Sequence, residues 1–378
     1  MSPNKLPLDH QHDSAGRQLY RKRVAVAMSG GVDSAVSAAL LHQAGAEVYG
    51  VFMRLAQREV DAHQRRAEAV AAYLGVPLTV LDLTAPFRAG VLDVFTRQYR
   101  AGLTPNPCVI CNRRIKFGLL WQQMIGQKAD FLATGHYARL LTDGAGGFTL
   151  HRGLDPGKDQ SYFLCRLRGE RLSRILFPLG AKTKAEVYRR AAVLGLSGHH
   201  GGESQDICFL GAQSVTDFLT ITSSGATDTS LKATKNSAGI IVDITGRELG
   251  RHRGVHGYTI GQRRGLGISD ATPYYVVALD AVRKLVIVGK QQDLMQREIL
   301  ICELNWLSAV SPDLPASFLV QLRHRHQPAP ALLTPVGDGT FIVHFAEPQR
   351  APAPGQYAAL YRKDQLLGGG EIMICSRP

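Results

Sequence analysis

The chain of 378 residues, 45% of them hydrophobic, is long enough for two or three domains with ordinary buried cores. Its 44 Lys and Arg against 31 Asp and Glu give a net charge of +13, a balance that points to a polyanionic partner such as nucleic acid. No apolar run reaches the roughly 18 residues of a membrane helix, residues 1–20 carry no apolar signal region, and six cysteines over this length make no disulfide framework, so a cytoplasmic protein with no membrane partner is expected.

Val24 to Met28 is a short apolar run behind the basic Arg21-Lys22-Arg23, and Ser29-Gly30-Gly31-Val32-Asp33-Ser34 then opens an alanine-rich helix, Ala35 to Ala44. A strand, glycine loop and helix in this order suit phosphate. Glycine permits positive φ and close backbone approach, free N–H groups at the helix start point outward, and the helix dipole favours an anion. Ser29 and Ser34 add hydroxyl donors. Neither G-x-x-x-x-G-K-[ST] nor G-x-G-x-x-G is present. The hexapeptide resembles instead the PP-loop of ATP pyrophosphatases, enzymes that cut ATP between its α and β phosphates and adenylate a substrate. The plain alternative is a glycine turn capped by Ser and Asp.

Glu47 to Met53 and Val76 to Asp82 read as further apolar strands, separated by a helix from about Asp61 to Leu74, and a helix with Val91, Phe95 and Tyr99 on one face follows. Strands alternating with helices predict a parallel, doubly wound sheet, an α/β fold whose ligands sit at the carboxyl ends of the strands. Met53 stands at such an end, either as core or beside an adenine.

Thr104 to Phe117 contains Asn106-Pro107-Cys108-Val109-Ile110-Cys111 followed by Arg113, Arg114 and Lys116. Asn106 can cap a helix whose first position is Pro107, placing Cys108 and Cys111 in its first turns on one face. A positive helix end and nearby cations lower a thiol pKa, so reactive thiolates are expected here. The C-x-x-C admits three readings: catalytic thiol, metal-ligand pair, or two small buried residues. A second C-x-x-C to complete a zinc site is lacking.

Asp130 to Tyr137 is another strand ending in a small turn, where Gly135 would let a nucleotide approach and His136 could be a ligand contact or a satisfied buried residue. Arg152 to Phe163 mixes charge, amide and aromatic side chains around Lys158-Asp159-Gln160, which suits single-stranded RNA and equally an ordinary polar loop. Thr183-Lys184-Ala185-Glu186 is a capping box for a structural helix that stops at Gly195. Gly201 to Leu210 then carries Cys208 between apolar neighbours after a polar loop, and residues 222–238, rich in Ser, Thr, Ala and Lys, read as a flexible link.

The remainder is all-β. Tyr274–Leu279 and Lys284–Val288 look like a hairpin, and strands recur at Ile299–Trp306, Phe318–Arg323, Phe341–Phe345, Tyr357–Tyr361 and Glu371–Cys375, broken by Pro328, Pro330, Pro335, Pro352 and Pro354. A small C-terminal antiparallel β-barrel is expected. The chain divides accordingly into a PP-loop domain over 1–215, a small central β-rich domain over 216–282 and the barrel over 283–378.

With these stretches in hand, the chain from Val24 onward resembles the bacterial tRNA-specific 2-thiouridylases, which place sulfur on C2 of the wobble uridine of certain tRNAs. The resemblance rests on Met28 to Ser34, Phe52-Met53, Thr104 to Phe117, Ala133 to Tyr137, Lys158 to Phe163, Ser204 to Leu210, Tyr258 to Gly267 and Leu367 to Gly370. It implies that Ala27, Met28, Ser29, Gly30, Gly31, Val32, Asp33, Ser34, Met53 and Gly135 contact ATP, with Mg²⁺ on the pyrophosphate. It implies that Asn106, Pro107 and Cys108 face the target base, that Lys158, Asp159, Gln160, Arg323 and His324 grip tRNA, and that His136 and Gln356 influence that grip. Cys208 would receive a persulfide sulfur from a carrier or persulfide-donor protein, and Cys111 would be the nucleophile that assists its release, the two closing a disulfide.

The chain departs from the family pattern at three places. Some members carry Asp at the position of Cys108, Arg323-His324 stands where Arg-Tyr is usual, and the loop Arg54 to Val60 is short. A second route would use Cys108, Cys111 and Cys208 as thiolate ligands of an iron–sulfur cluster with one iron open to sulfide. Other PP-loop adenylating enzymes are disfavoured by the Cys111 and Cys208 pair or by the β-rich tail, and an RNA-binding protein with a dead nucleotide site is disfavoured by the intact loop Ser29 to Ser34.

Overall fold

A computed structural model describes residues 16–374 except 145, 197, 199–206, 212 and 225–237. Its first domain is built on a five-stranded parallel sheet of β1 (Arg23–Ala27), β2 (Glu47–Arg54), β3 (Leu78–Asp82), β4 (Phe131–Ala133) and β7 (Ile175–Leu176), in the order β3-β2-β1-β4-β7. Val24, Ala25 and Val26 of β1 are wholly buried, as a central strand covered on both faces requires. Helices α1 (Val32–Gln43), α2 (Val60–Leu74) and α7 (Lys184–Val193) carry one face, packing Val36, Ala39, Val70 and Val187 into a shared core. The register sets Val26 beside Gly50 on one side and Ala133 on the other, so the carboxyl ends of β1, β2 and β4 share one edge. The loops after those three strands carry the glycine loop, Met53 and Gly135 to that edge.

Between β3 and β4 the chain follows a broken helical path: α3 (Thr84–Phe87), a π turn over Arg88–Leu92, α4 (Asp93–Arg100), α5 (Pro107–Cys111), a π stretch over Asn112–Leu120, and α6 (Trp121–Gly126). Asn106 caps α5 as expected, its side chain accepting from the Val109 N–H at 3.3 Å. Phe87, Phe95 and Cys111 from this path pack with Phe209 and Leu210 from far downstream. Thr183 and Glu186 close the expected capping box on α7. The hairpin β5 (Ala138–Thr142) and β6 (Phe148–Arg152), which alternation alone does not disclose, projects out of this domain.

The central sheet has the order β10-β11-β8-β9, from β8 (Gly239–Asp243), β9 (Glu248–His252), β10 (Tyr275–Asp280) and β11 (Leu285–Gly289). Because β10 and β11 are paired antiparallel, a division at 282/283 falls inside their turn, and this sheet runs on to Gly289. The expected link over 222–238 lies largely outside the described residues.

The barrel comprises β12 (Met295–Trp306), β13 (Ala316–Gln321), β14 (Ala329–Gly337), β15 (Thr340–Arg350), β16 (Tyr357–Arg362) and β17 (Gln365–Ile372), and it closes when β12 pairs with β17. Pro330 and Pro335, expected as breaks, lie within β14. They stand at exposed positions while Ala329, Ala331 and Leu333 point into the barrel core, and that apolar alternation outweighs the ladder bonds each proline forfeits. β17 also pairs with β6, Leu366 opposite Leu150, so the projecting hairpin extends the barrel wall and fastens it to the first domain. Among the described residues no helix is long and apolar enough to cross a membrane.

Candidate active site

The glycine loop is preorganised around its own backbone. Gly30 has φ +78°, and a Cβ there would run into the carbonyl oxygen of His63 and the side chain of Arg66, so the first turn of α2 packs directly on the loop. The Ser29 N–H donates to Ser34 Oγ at 3.1 Å, and Ser34 Oγ donates to the Gly31 carbonyl at 3.0 Å. No side chain caps the start of α1, so its first N–H groups are oriented for an anion. Gly135 closes on the loop from β4: a Cβ would lie 3.0 Å from the Asp33 carbonyl carbon. These features fit a nucleotide polyphosphate.

Asp33 is held by two residues to which sequence reasoning gave no site role. Tyr137 Oη donates to its Oδ1 at 2.7 Å, and Lys184 Nζ lies 2.8 and 2.9 Å from its two oxygens. Lys184 is buried, and its ammonium faces the rings of Tyr137 and Tyr188. The signal was present in the capping box, whose first helical residue is this lysine, but nothing in the sequence joins it to a loop 151 positions earlier.

The second half of the site is a set of thiols. Cys111 is buried on α5, Cys108 is half-buried on the same helix, and Cys208 is exposed. Burial pushes the Cys111 thiol up to about 12, with Lys116 pulling against it and the neighbouring Cys208 and Cys108 adding to the rise. Although Cys208 is exposed as a residue, desolvation of its thiol by the surrounding protein raises it to about 11, again with Cys108 adding and Lys116 opposing, and desolvation raises Cys108. The fold therefore brings all three into mutual electrostatic reach. It also corrects the expected acidification. Arg113 turns to Glu303 at 3.9 Å and Arg114 donates to the Gly90 carbonyl, leaving Lys116 as the cation that opposes desolvation at Cys108 and Cys111. Met53, near the end of β2, packs against the apolar cluster that holds Cys111 with Phe209 and Leu210.

Among the described residues no three His, Cys, Asp or Glu side chains converge as ligands for a metal ion. The iron–sulfur cluster expected as a second route through Cys108, Cys111 and Cys208 thus finds no such ligand group among the described residues, and no step is derived through it. Asp33, engaged by Lys184 and Tyr137, is a single carboxylate at the loop, so Mg²⁺ would depend chiefly on phosphate oxygens and water.

The residues expected to meet RNA fall into two groups. His136 is buried between Phe117 and Phe177, its Nδ1 2.7 Å from Thr134 Oγ1, and burial holds it neutral, well below the usual imidazole range. Asp159 is buried too, accepting from the Gly153 and Ser161 N–H groups and from Arg152. Gln160 accepts from the Tyr137 N–H at 3.0 Å. The side chains of His136, Asp159 and Gln160 are thus engaged within the protein. Arg323 and His324 lie half-exposed after β13, the His324 ring 4.4 Å from that of Phe163. Gln356, from the barrel, accepts from Tyr162 Oη and Asn106 Nδ2 and donates to the Thr104 carbonyl, tying the barrel to the residue that caps α5.

Three family models match the chain in succession: a tRNA methyl transferase HUP domain over residues 22–212, a tRNA methyl transferase PRC-barrel domain over 230–290 and an aminomethyltransferase beta-barrel domain over 296–372. The tRNA-specific 2-thiouridylase MnmA of Desulfotalea psychrophila is 42% identical, covering 94% of this chain and 100% of its own. That of Syntrophotalea carbinolica is 45% identical over 93% and 98%, and that of Chloroflexus aurantiacus 43% over 92% and 98%.

Proposed function

Because the chain belongs to the tRNA-specific 2-thiouridylase family, it is an enzyme of tRNA modification, and we propose that it replaces the C2 oxygen of a wobble uridine by sulfur at the expense of ATP. A uracil carbonyl is a poor electrophile and its oxygen a poor leaving group, so activation must come first. ATP in the cradle Ala27 to Ser34, bordered by Met53 and Gly135, is attacked at its α phosphorus by the uracil O2. Pyrophosphate leaves, and the base carries AMP on that oxygen. The N–H groups at the start of α1 stabilise the charge on the departing phosphates. Mg²⁺, when bound, supplies further neutralisation there.

The terminal sulfur of a persulfide on Cys208, delivered by a sulfur-carrier or persulfide-donor protein, then attacks C2 and AMP departs. Cys111, as thiolate, attacks the Cys208 sulfur. The bond between Cys208 Sγ and the transferred sulfur breaks, its electron pair passes to the sulfur on C2, and a disulfide joins Cys111 to Cys208. An external thiol reductant restores the pair. Since burial keeps Cys111 protonated at rest, its thiolate must form after the bound base and persulfide have changed its surroundings.

The observation that carries this reading is that Cys208, 97 positions after Cys111 in sequence, comes within electrostatic reach of it, while Cys111 packs in one cluster with Phe209, Leu210 and Met53. Asn106, Pro107 and Cys108 at the start of α5 stand where the target base would enter. Lys158 and Arg323-His324 would hold the RNA backbone, with His136, Asp159, Gln160 and Gln356 acting by shaping the turns beneath it. Incubation of the protein with ATP and unmodified tRNA tests the proposal: pyrophosphate release that requires the tRNA supports it, and tRNA binding without pyrophosphate would replace it with a binding-only function.

A further inference from the structure

The turn at Arg323-His324 in the barrel and the turn at Lys158-Asp159-Gln160 in the first domain are joined by an unbroken polar chain. Asp159 Oδ2 accepts from Arg152 Nη1 at 2.9 Å. Arg152 Nη2 donates across 169 positions to Gln321 Oε1 at 2.8 Å, and its guanidinium lies 3.9 Å from the centre of the Tyr361 ring. Gln321 Nε2 then donates to the carbonyls of both Arg323 and His324, at 3.1 and 2.7 Å. Gln321 is 2% exposed, so it cannot touch a bound macromolecule itself. Its amide is saturated, with the oxygen on one turn's support and both hydrogens on the backbone of the other.

We propose that Gln321, with Arg152, is a positioning residue for tRNA: it fixes the Arg323-His324 turn in register with the Lys158-Gln160 turn, so that the two segments meet one RNA backbone as a single surface. This deepens the proposed tRNA grip and rests on it. The physical reason for a buried amide here is directional. Both peptide planes of the 323–324 turn are pinned by one group, and an apolar residue of the same volume would fill the space without pinning either. The chain also crosses from the projecting hairpin to the barrel, adding a side-chain tie beside the β6–β17 ladder that already joins them.

The test is equilibrium binding of an unmodified tRNA transcript with a wobble uridine, measured over a range of salt concentrations. Gln321→Met keeps volume and charge, yet should weaken binding about tenfold and lower the salt slope by about one phosphate contact, because Arg323 drifts from its site. In a background already carrying Arg323→Ala and His324→Ala, the same substitution should have no further effect. If Gln321→Met fails to fold, Gln321→Glu retains a partner for Arg152 but cannot donate to either carbonyl, and the same comparison applies. An equal loss in both backgrounds, or no loss in either, overturns the proposal while the grip itself stands. If Arg323→Ala with His324→Ala leaves affinity and slope unchanged, the reading of that turn as a tRNA contact fails and the proposal with it.

Discussion

Both carboxylate oxygens of Asp33 lie within 2.9 Å of the Lys184 ammonium, a pairing that joins the glycine loop to the start of a helix far along the chain. Lys184→Met would leave Asp33 with Tyr137 as its remaining partner here. Because Asp33 is 30% exposed, the cost should fall below that of a fully buried pair, about 1–3 kcal/mol in urea unfolding. Pyrophosphate release should drop by about tenfold or more, since the loop would no longer be held in place. Unchanged stability and rate would show the pairing to be incidental.

The loop itself tolerates no side chain at its second residue. Gly30→Ala forces both a positive φ on alanine and a collision with the His63 carbonyl, and should cost about 2 kcal/mol or more. A thermal melt with and without ATP measures this, and the stabilisation that ATP gives the parent should disappear in the variant.

The thiols should react in the order of their exposure and against the order expected of an acidic C-x-x-C. At about pH 8, where groups near 11 and 12 are almost wholly protonated, an alkylating reagent should reach Cys208 first and Cys111 slowly. Since both values are raised, the thiolate fraction of each grows about tenfold per pH unit until its pKa is approached. Peptide mass spectrometry against time and pH follows this directly. Rapid labelling of Cys111 in the free protein would contradict its burial.

Asn106 both caps α5 and donates to Gln356 of the barrel. Asn106→Ala should therefore lose about 1 kcal/mol of stability through the cap and loosen the helix that carries Cys108 and Cys111, seen as faster alkylation of Cys111.

Much of this was legible in the sequence where local signals decide structure. The glycine loop, the Asn106 cap and the capping box at Thr183 are determined within a few residues, and all formed. What could not be read depends on partners distant along the chain. Arg113, Arg114 and Lys116 look alike in sequence, yet the fold sends the first to Glu303 and the second to Gly90, so the thiols beside them are governed by burial. Asp159 reads as a polar surface residue but is buried because Arg152, Gly153 and Ser161 surround it. Pro330 and Pro335 signal an interruption, yet they stand at exposed positions of a continuous strand whose Ala329, Ala331 and Leu333 enter the barrel core.

The persulfide role of Cys208 is the centre of the account, and nucleoside mass spectrometry of tRNA incubated with the Cys208→Ser protein, ATP and a persulfide donor tests it most directly. The account predicts bound tRNA and released pyrophosphate with no 2-thiouridine. Formation of 2-thiouridine by that variant would contradict it.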